Sequence, residues 1–248
     1  MRDIDENILK SELLSEYQEI THQFLQLLDR EDIDRLIFKE TGEVFQPFIS
    51  IDEIMPNEQY EAMTEDDRQL LMQTYDWVMG KKKLEVRRGL KVLQKLKKKY
   101  PNLAMIYNFI GNAYLILGQN TKHYHALKET CKKFPNYIFG KISLAEYHLQ
   151  QGHHDIIPEI FNHKLQLYMH HPELGAHPVF HQSEMRGFYT VMGRYYAREG
   201  KFEHAIKCYF LVADVEPHSP QLEALVKEIF VMGIEQLVSK AKKTQDKL

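Results

Sequence analysis

Apolar residues recur along this chain at helical spacing and almost nowhere at strand spacing. Ile4, Ile8, Leu13, Tyr17, Ile20, Phe24 and Leu27 fall mostly three or four apart and predict an amphipathic helix. A shorter helix follows over 31–40. Thr41-Gly42, Pro47 and Pro56 then mark an irregular connector. Thr64 with Asp67 reads as a capping box opening the next helix. Helical patterning continues to Gln221–Val238, whose apolar stripe is suited to covering a neighbouring helix pair. The closing KAKKTQDKL is expected to be disordered.

The pattern also repeats on a longer scale. KKYPN at 98–102 returns as KKFPN at 132–136, a shift of 34 residues, and Gly118 and Gly152 keep the same interval. A second interval of 82 joins Tyr107 to Tyr189, Gly111 to Gly193, Tyr114 to Tyr196, Gly118 to Gly200 and Pro135 to Pro217. It equals two periods of 34 plus an insertion of 14 residues. Five matches at one offset do not arise by chance. Glycine where a helix must stop, proline where the next must not run on, and a small residue midway through a helix are punctuation for stacked helix pairs.

These residues carry a resemblance to the tetratricopeptide repeat family, with its 34-residue unit. YNFIGNAYLILG at 107–118 gives aromatic-x2-Ile-Gly-x2-Tyr, and Pro135 closes that unit. YTVMGRYYAREGKFEHAIKCY at 189–209 gives aromatic-x2-Met-Gly-x2-Tyr, then Ala205-x3-Tyr209, with Pro217 closing. KISLAEYHLQQG at 141–152 keeps Ala145 at the small position. The resemblance implies an all-α right-handed superhelix, an α-solenoid of helix pairs with an N-terminal helical extension over 1–63. Repeats are expected at 70–103, 104–137, 138–171 and 186–219 within 64–220, with an insertion near 163–183. A capping helix and tail occupy 221–248. It further implies a concave groove lined by each unit's first helix, where Thr74, Val78, Asn108, Asn112, Ile142, Glu146, Thr190 and Arg194 would face a peptide. The family's lysine-based clamp for terminal carboxylates is absent, since Asn108 stands where that lysine would be.

Composition narrows the class. With 44% hydrophobic and 27% charged residues, the chain suits a protein with a sizeable core and a solvated surface. MRDIDENILK carries charges where a secretory signal needs an apolar run, so no export signal is expected, and no uncharged stretch is long enough to cross a bilayer. Cys131 and Cys208 read as reduced thiols of a cytoplasmic protein. The net charge of -3 hides a strong asymmetry: residues 1–67 hold nineteen acids against five bases, and residues 68–100 hold eleven bases against two acids. The acidic segment is expected to shield the basic helix 81–99, which is otherwise the only hint of nucleic acid.

Histidines crowd the region of the insertion: His153, His154, His163, His170, His171, His177 and His181. His177-x3-His181 has ligand-like spacing, but Pro178 breaks the helix that would hold both residues, so no metal and no cofactor is expected. No phosphate-binding glycine loop, nucleophile elbow or metalloprotease helix is present. The expectation is a non-catalytic adaptor or co-chaperone that binds a protein or peptide. The alternatives are a peptide-responsive bacterial regulator with a helical N-terminal bundle, or a metal-dependent enzyme using the histidine-rich loop.

Overall fold

The computed structural model describes residues 17, 19–45, 49–51, 58–174 and 178–245. It is all-α apart from one short pair of strands. Two compact units divide the chain: one is residues 52–163, and the other joins 1–51 to 164–248.

The first unit holds α3 (Glu58–Glu61), α4 (Glu65–Met79), α5 (Lys83–Lys99), α6 (Ala104–Ile116), α7 (Asn120–Lys133), α8 (Ile138–Gln150) and α9 (Ile157–Ile160). Thr64 caps α4 as expected: its Oγ1 accepts from the Asp67 amide at 3.3 Å and donates to Asp67 Oδ2 at 2.9 Å. Asp67 also accepts from the Tyr100 hydroxyl at 2.5 Å and pairs with Lys99, so the cap ties the start of α4 to the end of α5. Neighbouring helices pack in sequence, α4 on α5, α5 on α6, α6 on α7 and α7 on α8. A continuous core of Leu71, Val86, Leu93, Leu103, Ile106 and Ala113 runs through the first of these layers.

The repeated phrase is a repeated geometry. The amides of Tyr100 and Phe134 close the last turns of α5 and α7, donating to Leu96 O and Thr130 O at 2.7 and 2.9 Å. Each then opens a turn with proline second, in which Leu103 N–H donates to Tyr100 O and Tyr137 N–H to Phe134 O, at 3.3 and 3.0 Å. Glycine ends the first helices: Gly118 and Gly152 take φ of +70° and +80°, a region that costs side-chain-bearing residues dearly. The next amide reaches back in both cases, Gln119 to Tyr114 O and His153 to His148 O, at 2.9 Å.

Two expectations for this unit fail. The first pair spans 65–99 and opens at Thr64 as expected, but its turn falls at Gly80–Lys82, ahead of position 84 where a 34-residue frame puts it. The repeat over 138–171 keeps α8 but has only the single turn α9 for a second helix. Asn162 and His163 adopt φ of +53° and +58° directly after α9, which no helix continues through.

The second unit contains α1 (residues 19–26), α2 (Arg30–Thr41), β1 (Ile49–Ile51), β2 (Val179–His181), α10 (Gln182–Arg198), α11 (Phe202–Val215) and α12 (Pro220–Gln245). The apolar residues Ile4, Ile8 and Leu13 of the expected first helix lie outside the described residues. Strands β1 and β2 pair in parallel, Ser50 opposite Phe180, an element that the sequence pattern did not predict. The α10–α11 pair follows the expected register: Gly200 has φ +72°, and Lys201 N–H reaches back to Tyr196 O at 2.9 Å. Glu216-Pro217 repeats the closing turn, with Glu216 N–H on Val212 O and Ser219 N–H on Glu216 O.

Helix α12 covers this pair through buried Leu222, Leu225, Val226 and Ile229, and it continues to Gln245 through most of the tail expected to be disordered. Part of the acidic N-terminal segment meets α11. Asp34 pairs with Lys207 at 2.7 Å, Arg30 with Asp214 at 2.7 Å, and His204 Nε2 lies 3.1 Å from Glu43 Oε2. Asp34 and Glu43 therefore serve α11, on which α2 packs, while Asp67 at the end of the same segment pairs with Lys99 of the basic helix α5.

Candidate functional site

The eight residues expected to face a peptide divide into three sets. Thr74 and Val78 are fully buried and point into the seam of their own pair. A Cβ placed on Gly89 would meet Thr74 Cγ2 at 3.2 Å and Val78 Cγ2 at 3.5 Å, so the missing side chain on α5 makes room for them. Thr74 Oγ1 donates to Leu70 O at 2.7 Å. The early turn after α4 accounts for the difference: the frame that carries Asn108 and Asn112 back by 34 residues lands on the side of α4 facing α5.

Thr190 and Arg194 are also enclosed. Thr190 is buried within α10. Arg194 Nε lies 3.3 Å from Glu228 Oε2 on α12, and Arg198 binds the other oxygen of the same carboxylate. Arg194 is thus part of the attachment of α12 rather than an open groove residue.

The remaining four belong to α6 and α8, which pack on one another. Asn108 is buried, and its Oδ1 accepts from Ser143 Oγ at 3.0 Å, joining the two helices. One helical turn on from that bond are Asn112 on α6 and Glu146 on α8, both half-buried, with Ile142 half-buried beside Ser143. Glu146 Oε1 accepts from Gln150 Nε2 at 3.0 Å. An amide, a carboxylate and an aliphatic side chain so arranged can meet a polypeptide's backbone amides and one apolar side chain. Behind this surface His123 Nδ1 donates to Gly111 O at 2.8 Å, and burial lowers the His123 pKa, which keeps the ring neutral and fixes α7 against α6.

The histidine-rich stretch is engaged in holding the chain. His171 Nε2 lies 2.7 Å from Glu184 Oε1, and His181 Nδ1 accepts from the Ser183 amide at 3.1 Å as the N-cap of α10. His170 Nε2 donates to Lys164 O at 2.9 Å, and His177 lies outside the described residues. Among the described residues no three of His, Cys, Asp and Glu gather as a metal would require, and no helix is long and apolar enough to cross a membrane. Burial pushes the Cys131 thiol up to about 11 and raises Cys208 further, away from the thiolate chemistry of a nucleophile. No protein-family model matches the chain, and no curated protein matches its sequence.

Proposed function

We propose that this chain is a non-catalytic protein-binding scaffold, an α-solenoid of tetratricopeptide-like helix pairs acting as a cytoplasmic adaptor or co-chaperone. The repetition of one closing turn at Tyr100-Pro101, Phe134-Pro135 and Glu216-Pro217 supports the repeat reading. The free thiols Cys131 and Cys208 suit a reducing compartment. The observation that carries the binding reading is the α6–α8 face, where Asn112, Ile142 and Glu146 stand partly exposed beside the fixed Asn108–Ser143 contact.

A peptide segment of a partner would lie across these two helices, with Asn112 holding its backbone and Glu146 selecting a basic or amide-bearing side chain. Thr74, Val78, Thr190 and Arg194 take no part. The test compares wild type with Asn112→Ala combined with Glu146→Lys, by thermal melt and by recovery of partners from native cells. Lost partners at an unchanged melting temperature support the reading. An unchanged partner set at unchanged stability rejects it.

A further inference from the structure

Most cations from Lys82 to the end of α5 fall into two groups. Lys82, Lys97 and Lys99 are paired, with Glu85 at 3.6 Å, Glu129 at 2.7 Å and Asp67. Arg87, Arg88, Lys91, Lys95 and Lys98 are exposed, and among the described residues none has a carboxylate partner. Like charges one helical turn apart destabilise the helix that carries them, so this stripe works against α5 in isolation.

The unpaired group lines a continuous groove. One part, of about 550 Å³, lies among Leu84, Arg87, Arg88, Lys91, Tyr114 and Lys122. The next, of about 620 Å³, shares Lys91 and Gln94 with it and continues past Lys95 and Lys98. Tyr114 is half-buried there, with its hydroxyl 3.4 Å from Gln94 Nε2. Leu84 is 62% exposed among these charges.

We propose that this groove docks an acidic amphipathic helix of a partner protein. Arg87, Lys91 and Lys95 stand at steps of four residues, about 6 Å along the axis, the step at which a second helix repeats its own carboxylates. Leu84 decides between protein and nucleic acid. A phosphate backbone would neutralise the stripe and leave an isobutyl group in water, whereas a helix with leucines beside its glutamates covers both. The α5 groove is separate from the α6–α8 face and does not depend on it.

The test uses the full chain and three fluorescent probes at low salt: a peptide of roughly four helical turns with Glu at i, i+4 and Leu on the adjoining face; polyglutamate of equal charge; and oligothymidylate. The Glu/Leu peptide should bind tightest. Arg87→Glu with Lys91→Glu should weaken it by about tenfold or more, and Leu84→Ser by several-fold. These side chains are exposed and make no hydrogen bond or ion pair among the described residues, so the melting temperature should hold for both variants. Polyglutamate or oligothymidylate binding as tightly as the peptide, peptide binding indifferent to the charge reversal, or no peptide binding at all overturns the proposal. Variants at Asn112 and Glu146 should leave peptide affinity unchanged, which separates failure here from failure of the α6–α8 face.

Discussion

Gly193 and Leu225 approach so closely that a Cβ added to the glycine would stand 2.7 Å from Leu225 Cδ1. The same Cβ would meet Cys208 Cβ at 2.9 Å, an atom fixed to the α11 backbone. One missing side chain on α10 therefore admits two helices at once. Gly111, its counterpart on α6, is less constrained, with Leu127 Cδ2 at 3.4 Å and Ala126 Cβ at 4.0 Å. Gly193→Ala should thus destabilise by about 1–3 kcal/mol through overpacking. Gly111→Ala should be neutral or stabilise by up to about 1 kcal/mol, since alanine favours a helix interior and the contact is an ordinary one. Urea denaturation of both variants checks the contrast, and equal losses would contradict it.

The repeat was legible because its signals are local. Gly118, Gly152 and Gly200 mark left-handed positions, and Pro101, Pro135 and Pro217 close turns of one form whatever surrounds them. What failed was tertiary. No local signal foretold that β1 would pair with β2 from far along the chain, nor that Asn162 and His163 would end α9 after one turn. The candidate site was half legible for the same reason. Position in the repeat put Asn112, Ile142 and Glu146 on a partly exposed face, while Thr74 turned to Gly89 in the seam of its own pair and Arg194 took Glu228 on α12, outside the repeats.

Glu228 anchors α12 by holding Arg194 and Arg198 together, and all three side chains are less than a fifth exposed. Glu228→Ala leaves two arginines without that carboxylate in a poorly solvated position. A loss of roughly 2–4 kcal/mol is expected, against little change for an exposed glutamate such as Glu223. The melting temperature is the readout. Arg194→Glu should be equally damaging, since it sets a carboxylate against Glu228, and loss of partners in that variant would therefore report unfolding rather than recognition.

Asp67 makes the α4 cap dependent on pH. The Lys99 bond, the Tyr100 hydroxyl and the Thr64 hydroxyl lower its carboxyl to about 2, from an ordinary value near 4 in the unfolded chain. A depressed pKa contributes stability that is fully present above the unfolded value and is lost as pH falls through the folded one. The cap should accordingly weaken between about pH 4 and pH 2. Asp67→Asn should lower the urea midpoint at neutral pH, and its difference from wild type should shrink across that window. A difference constant over the window would show that the carboxylate's charge is immaterial.

The two thiols should report the core rather than any chemistry of their own. Cys208 is fully buried beneath Gly193, and Cys131 is half-buried with its thiol raised to about 11, so at pH 8 almost none of either is thiolate. A disulfide reagent attacks only through the thiolate, so both should label slowly in the native protein and promptly in urea. Cys131, partly open to solvent, should label first, and Cys208 only as its unit opens. Gly193→Ala should accelerate Cys208 while leaving Cys131 unchanged, because the strain lies in the unit of α10, α11 and α12 and not in that of α7. Equal acceleration at both cysteines would mean that the two units open together, and rapid labelling of native Cys208 would contradict its burial.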